Sequence, residues 1–535
     1  MHEVDVPAPP GRPGIVGLLR MREQAHPDAP WLRFEDDVYT WSQALANVHR
    51  AANGLAEMGV EPGQRVALML SNRPEFLWVH FGAELIGATS VTVNTAQRGE
   101  ALWHILSDSE SVAVICDAEL LPAVRAKADR LPALRQIVAA SPAGGSVGLG
   151  GATTLDHLLD QPDEEPPAPS EHERRPPPAI TYTSGTTGPP KGVVSVGGPG
   201  PRSLNALGRV LGATGVHPGE VMYTSLPLFH GNAMGVTVVG SVLLDCQVAL
   251  GRRFSASGHF DACRRHGAVE FNTLGGMIPM LLKTPERPDD AEHPVRVVLS
   301  AGCPPWAWEQ FETRFGVKLV EWFGMVDAPG FLLNDAGRVG SMGRPVGDTE
   351  FAVVDDADQP LEPGQVGELV FRGPGGPPTE YHNDPEATAR AYQGGWFHTG
   401  DLAERDTDGF FYYRGRKKES MRRRGENISA WEVESAVNTH PAVAESAAHG
   451  VPSDLGEDEV KVIVVLRPGE RLDPEALLDH CRGRLAYYAV PRYVEIVDQL
   501  PKTGTQRPDY GALRRRGLTG GTWDREVANY RVGRE

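Results

Sequence analysis

The sequence predicts an α/β protein: a large N-terminal domain of α/β subdomains plus a β-rich subdomain, followed by a small mobile α+β C-terminal domain. Three observations lead there. Helical and strand patterns alternate through the first half, which favours a largely parallel sheet. A chain of 535 residues exceeds what one hydrophobic core organises, so at least two domains are required. The patterning then changes character after Gly415, where a strand–helix–strand unit of about a hundred residues begins.

Taken in order, Trp41 to Met58 places Leu45, Val48, Ala52 and Leu55 at helical spacing, and Gly59 supplies a stop. Val66 to Leu70 is a short apolar run between Pro-Gly and Ser-Asn, as in a buried strand. Phe76 to Ile86 reads as helix and Ser90 to Val93 as strand; Leu102 to Ser107 and Val112 to Ile115 repeat the rhythm. Residues 141–178, rich in Gly, Pro, Asp and Glu, read as a solvated connection. A second α/β succession follows to about Phe315, and Glu350 to Arg372 is β-rich around a turn at Pro363-Gly364. In the last part, Ser429 to Val437 and Pro474 to Leu485 read as helices, Lys461 to Leu466 and Tyr493 to Val497 as strands. The polar stretch from Leu518 is expected to be flexible. The domains so delimited are residues 1–415, 416–517 and a tail, 518–535.

Composition excludes several classes. Hydrophobic residues make up 40% and charged residues 23%, as in ordinary globular proteins, and a net charge of −18 argues against a nucleic-acid binder. Cys116, Cys246, Cys263, Cys303 and Cys481 have no CxxC spacing, so reduced thiols are expected rather than a disulfide framework or a zinc site. The N-terminal MHEVDVPAPPGRPG lacks a signal pattern, and the most apolar run, Ala233 to Leu244, is too short to span a bilayer. A cytoplasmic enzyme with no membrane span is expected; its oligomeric state is left open, a homodimer included.

One run carries chemistry by itself. TYTSGTTGPPKG, Thr181 to Gly192, combines hydroxylated residues, three glycines and a lysine just after the strand-like Ala179-Ile180. Glycines let backbone N–H groups approach an anion, hydroxyls donate to phosphate oxygens, and Lys191 adds a mobile cation. It is not a Walker loop, which needs GxxxxGK[ST].

This run, together with GVEPGQRVALMLSN, SLPLFHGNA, GRPVG, GWFHTGD, GRKKESMRRRGENIS and YYAVPRY, resembles the adenylate-forming superfamily of acyl-CoA synthetases, nonribosomal-peptide adenylation domains and luciferases. The likeness runs from about residue 15 to 515 and is nearest to bacterial carnitine/crotonobetaine-type acyl-CoA ligases. It implies ATP, Mg²⁺, a small-molecule acid, and CoA or an amine as acceptor. It assigns Thr183, Ser184, Gly185, Thr186, Thr187, Gly188 and Lys191 to the triphosphate, and Ala301, Gly302, Cys303 and Pro304 to the adenine side. Phe323-Gly324 would stack on adenine, while Asp401 and Arg416 would hold the ribose. His230, Gly231, Leu274, Gly275 and Met325 would line an apolar acid pocket with no cation for a second carboxylate. Thr187, Lys418 and Arg507 are the catalytic candidates, Lys418 as the pivot of the small domain. The basic residues Lys417, Lys418, Arg422, Arg423 and Arg424 would border the CoA path.

Two departures stand out. Where the family reads aromatic-Gly-x-Thr-Glu, this chain has Phe323-Gly324-Met325-Val326-Asp327. Asp327 can ligate Mg²⁺ one methylene further back, and Val326 keeps the threonine shape without its hydroxyl. Near the C-terminus Arg507 stands in place of the lysine that bridges carboxylate and α-phosphate. Three readings follow: an acid–CoA ligase in which Arg507 works, an ATP-dependent diazotase using nitrite and an aryl amine, and an adenylation-impaired ATP-binding homologue.

Overall fold

The computed structural model describes residues 14–141, 152–167, 169, 179–183, 190–195, 201–327, 330–373, 379–417, 420–423, 426–452, 458–482, 484–485, 489–503 and 507–531. They form two compact units, one of residues up to 350 with 372–397, the other of 351–371 with 398 onward.

The first unit holds two sheets built as the alternating patterns predict. In one, Thr89–Thr92, Arg65–Met69, Ser111–Asp117 and Gln136–Ala140 run parallel, and Ile180–Thr183 joins Thr89–Thr92 in parallel before the chain reverses into Lys191–Ser195. In the other, Lys318–Phe323, Val297–Ala301, Ala268–Leu274, Val221–Thr224, Gln247–Leu250 and Pro30–Phe34 lie parallel in that order. The ends of these parallel strands are where ligands of such sheets collect. The helix Trp41–Glu57 starts on a capping box, Thr40 with Gln43, and buries Val48, Ala52 and Leu55; Gly59 follows at φ +78°. The apolar run Ala233 to Leu244 becomes a wide helical segment, Asn232–Val239, continuing as the α-helix Gly240–Leu244.

Part of the expected connection is ordered instead. Thr153–Thr154 pairs with Gln136–Ala140, and Leu155–Leu159 is helical, capped by the Thr154 hydroxyl with Leu155 and Leu158 buried. Gly54 makes room for it, since a Cβ there would lie 2.0 Å from the Leu158 carbonyl oxygen.

In the second unit, Val443–Pro452, Asp458–Leu466 and Tyr493–Val497 form a sheet backed by the helices Ala430–Asn438 and Pro474–Cys481. The stretch read as a flexible tail contributes a fourth strand: Thr522–Asp524 pairs with Tyr493–Val497. Its anchor is Glu495, buried 2.5 Å from both Lys461 and Arg516 and accepting from the Thr519 hydroxyl at 2.9 Å. Polarity misleads there because the ordering groups are charged.

Two fully buried carboxyls interrupt the core of the first unit. Burial pushes Glu270 up to about 8, and does the same to Glu321. An acid whose folded pKa is raised contributes stability that is complete below its ordinary value of 4.5 and lost as pH rises through about 8. Stability should therefore fall between these limits, by up to about 1.4 kcal/mol per pH unit for each carboxyl. Thermal midpoints of the wild type and Glu270→Gln across pH 5–8 check it: the variant should have the flatter profile.

Candidate active site

The phosphate-loop run is flanked by two paired strands. Ser184, Gly185, Thr186, Thr187 and Gly188 lie outside the described residues, but both flanks are placed: Thr183 and Lys191 are cross-strand partners, with the Thr183 hydroxyl 3.5 Å from the Lys191 carbonyl. Lys191–Ser195 pairs on its far side with Thr379–Tyr381. Two consequences follow for the chemistry. The Lys191 ammonium sits 4.7 Å from the centroid of the Tyr381 ring, a cation–π contact, and the Tyr381 hydroxyl donates to Asp327 Oδ1 at 2.9 Å. The neighbouring Thr379 hydroxyl donates to the Asp327 carbonyl. Burial, then the Asp327 charge, raises the Tyr381 phenol well above its ordinary range, so it stays a donor. Tyr381 thus links the phosphate-loop lysine to the metal-candidate carboxylate. Neither Thr379 nor Tyr381 was singled out from sequence; only strand register brings them here.

A carboxylate oxygen is the donor type that Mg²⁺ takes, and one protein carboxylate plus substrate phosphates is an ordinary way to hold it. Asp327 suits that demand. Among the described residues no group of three His, Cys, Asp or Glu side chains forms an all-protein metal cage.

The adenine-side residues Ala301, Gly302, Cys303 and Pro304 follow the strand Val297–Ala301. Gly302 has φ +93°, a left-handed conformation that favours glycine, and a Cβ on Gly275 would approach the Gly302 carbonyl oxygen to 2.8 Å. The turns after two adjacent strands therefore approach backbone to backbone at Gly275 and Gly302. The turn is fixed by Glu321, which accepts from the backbone N–H groups of Gly302 and Cys303, the latter at 3.2 Å. Sequence reading missed Glu321, which looks like any strand residue until its register opposite Ser300 is known. Burial raises the Cys303 thiol strongly, which removes it as a nucleophile.

Phe323 ends the strand Lys318–Phe323 and is half-buried. A Cβ on Gly324 would come within 2.6 Å of the Trp322 ring, so only glycine fits after the aromatic. Val326 reaches the other candidate loop: a Cβ on Gly231 would lie 2.7 Å from Val326 Cγ2. His230 packs on Phe229, ring centroids 4.6 Å apart, and Asn232 donates to the Thr273 carbonyl at 3.4 Å. Gly231 thus approaches Val326 and Gly275 approaches Gly302, all within the first unit, where Leu274 ends its strand and Met325 is half-buried.

The ribose candidates belong to the second unit and are cross-strand partners there. Asp401, 3% exposed, lies 2.9 Å from Arg416 Nε. Gly400, at φ +70°, donates its N–H to Glu368 Oε1 at 3.1 Å, and Glu368 Oε2 is 3.1 Å from the Lys417 ammonium. Glu368, also absent from the sequence candidates, joins Gly400, the strand residue before Asp401, to Lys417, the residue before Lys418. Lys418 itself lies outside the described residues.

The basic segment divides once its partners are known. Arg423 is buried, 2.8 Å from Glu459, and Lys417 is held by Glu368 and Asp356, so these two are structural rather than a free cationic face. Arg507 is exposed at the base of a loop in which its carbonyl accepts from Thr503 N–H at 2.8 Å, and it has no ion-pair partner among the described residues.

Known proteins resemble this chain over most of its length. Residues 19–377 match the AMP-binding enzyme family and residues 432–507 the AMP-binding enzyme C-terminal domain. The chain is 32% identical over 501 residues to sulfoacetate–CoA ligase of Cupriavidus necator, covering 91% of this chain and 95% of that protein. It is 30% identical to crotonobetaine/carnitine–CoA ligase of Salmonella agona, covering 87% and 90%. A crystal structure of an anthranilate CoA ligase in complex with anthranoyl-AMP superimposes with a TM-score of 0.85 at 26% identity, covering 96% of this chain and 99% of that one. An o-succinylbenzoate CoA synthetase of Bacillus subtilis with its acyl-adenylate gives 0.78 at 26%, covering 93% and 97%.

Proposed function

The chain belongs to the AMP-binding enzyme family as an adenylate-forming acid–CoA ligase, ATP-dependent and AMP-forming, and on that premise we propose how its own residues divide the work. The reaction joins the acid's carboxylate to the α-phosphate of ATP with loss of pyrophosphate; the CoA thiol then takes the acyl group and AMP leaves. Thr183, Lys191 and the loop 184–188 hold the triphosphate. Mg²⁺, when bound, offsets phosphate charge, and Asp327 is the residue that would hold it. Phe323 and the Gly302 turn receive adenine, Asp401 and Arg416 the ribose, and Arg507 supplies the cation that bridges carboxylate and α-phosphate. Val326 fills the place of the usual threonine by shape alone. Residues 416–517, with the strand Thr522–Asp524 that joins their sheet, act as the mobile lid, pivoting at Lys418. We place the reaction in the cytoplasm, in keeping with five cysteines that are all free and buried. Among the described residues no helix is long and apolar enough to cross a membrane.

The observation that carries this division is the contact chain Lys191–Tyr381–Asp327, which sets a phosphate-binding cation and a metal-binding carboxylate on one side chain. An assay matrix tests it. Purified protein with ATP and Mg²⁺ is offered organic acids with CoA, or nitrite with aminobenzoates, and AMP is followed. CoA-dependent AMP release with an organic acid is expected. Release that requires nitrite and an aryl amine would establish the diazotase reading, and no release under any condition the impaired homologue.

A further inference from the structure

The last residue of GVEPGQRVALMLSN holds a loop that belongs to the other sheet. Asn72 lies just beyond the strand Arg65–Met69 and is 3% exposed. Its amide nitrogen donates to the carbonyls of Leu226 and Gly251, each at 2.9 Å, and its Oδ1 accepts from the Leu228 N–H at 2.9 Å. Leu226 and Gly251 follow the ends of two adjacent parallel strands, Val221–Thr224 and Gln247–Leu250. Only a short amide meets this set, since two carbonyls need N–H donors and one N–H needs an acceptor.

A second side chain of the first sheet reaches the same loop. Thr92 ends the strand Thr89–Thr92, which lies between Arg65–Met69 and Ile180–Thr183. Its hydroxyl is 3.2 Å from the Phe229 carbonyl and 3.4 Å from the hydroxyl of its register partner Thr181. The segment Leu226–Phe229 is thus fastened at three backbone groups to strand ends beside the one that leads into the phosphate-loop run. It passes straight into His230, whose N–H donates to the Pro227 carbonyl at 3.0 Å and whose ring packs on Phe229. A loop that needs only to close on itself does so locally. Asn334 shows this with the same bonding pattern, donating to the Arg338 and Ser341 carbonyls and accepting from the Arg338 N–H. Asn72 instead reaches across 154 to 179 residues of chain.

Building on the acid–CoA ligase reading, we propose that Asn72, seconded by Thr92, is a positioning residue for adenylation. It sets the acid-side segment ending in His230 and Gly231 at its distance from the phosphate-side residues Thr183 and Lys191. It acts through the segment it holds rather than on the substrate. The reacting carboxylate and α-phosphate are held by loops of two different sheets, so their approach depends on what joins those loops. A misplacement of about 1 Å between reacting groups costs about a hundredfold in rate.

The test is acid-dependent ATP–pyrophosphate exchange with benzoate and with butyrate. Asn72→Ala and Asn72→Asp should each lower kcat/KM for the acid by about ten- to a hundredfold, while KM for ATP stays within about threefold. Asn72→Asp keeps the shape and the Leu228 contact but turns a carboxylate toward two carbonyls, so it should not rescue. Thr92→Val should lower the same constant by about three- to tenfold, the ordinary worth of one hydrogen bond. Because both residues hold one segment, the double variant Asn72→Ala/Thr92→Val should lose less than the product of the single losses. Asn334→Ala should lower the thermal midpoint without this split between acid and ATP. AMP binding by calorimetry identifies variants that have folded; if neither Asn72 variant has, Thr92→Val decides. If neither acid supports exchange, the split is read from binding of benzoyl- and butyryl-sulfamoyl adenosine. The wild type should bind one of them more tightly than AMP, and the variants should lose that margin. Acid and ATP constants that worsen together, or an acid constant or binding margin that the substitutions leave unmoved, overturn this inference and leave the ligase standing. A wild type with neither exchange nor that margin overturns both.

Discussion

Arg507→Ala should lower acid-dependent ATP–pyrophosphate exchange about a hundredfold, the usual cost of removing one well-aimed electrostatic donor. The effect should fall on the first half-reaction: CoA-dependent release of AMP from a supplied acyl-adenylate should change far less. Two features single out this residue. Its backbone is fixed, its carbonyl accepting from Thr503 N–H at 2.8 Å while Lys502 and Pro508 bridge across the loop. Its guanidinium, by contrast, has no ion-pair partner among the described residues. The other cation nearby is already engaged, since the Lys502 ammonium is 2.7 Å from Glu445. That pair is about one-third exposed on each side, so Lys502→Ala should cost little in stability, and exchange should stay within about twofold. If Arg507 is a less well-shaped substitute for a lysine, Arg507→Lys should raise the exchange rate. A clear fall would mean that the loop has adapted to the planar fork of arginine.

What could be read from sequence divides along a physical line. Helices and strands whose apolar residues repeat at the right period, such as Trp41–Glu57 and Arg65–Met69, were legible because burial of one face is what makes them form. The phosphate-loop run and the residues Asp401 and Arg416 could be proposed as candidates because they are contiguous or belong to a recognised wording, and the structure makes Asp401 and Arg416 cross-strand partners. The residues that hold the site in place were not. Glu321 fixes the Gly302 turn, Glu368 ties Gly400 to Lys417, and Tyr381 joins Lys191 to Asp327, each acting across strand register that no local pattern encodes. The edge strand Thr522–Asp524 was missed for a related reason: its order comes from the charged network around Glu495, not from an apolar stripe.

Asp327→Ala should remove most adenylation activity, and Tyr381→Phe should do part of the same while leaving the carboxylate in place. Asp327 has a shorter stem than the glutamate its position usually carries, so its placement matters more. Here that placement comes from the Thr379–Tyr381 strand, which grips the backbone carbonyl through Thr379 and the carboxylate through the Tyr381 hydroxyl at 2.9 Å. Loss of a hydrogen bond that orients a metal-holding carboxylate typically costs about ten- to a hundredfold in metal affinity or activity. Tyr381→Phe should accordingly raise the Mg²⁺ concentration for half-maximal exchange by about tenfold or more. The aromatic face that meets Lys191 at 4.7 Å survives the substitution, so KM for ATP at saturating Mg²⁺ should move much less. That separation is the decisive readout. A merely structural tyrosine would lower the thermal midpoint and kcat together without shifting the Mg²⁺ titration, and that outcome would remove Tyr381 from the site. Asp327→Glu adds a complementary test. If the shorter side chain and Tyr381 are matched to each other, the longer carboxylate should lose the tyrosine's contact, and the Mg²⁺ titration of the double variant Asp327→Glu/Tyr381→Phe should then coincide with that of Asp327→Glu alone.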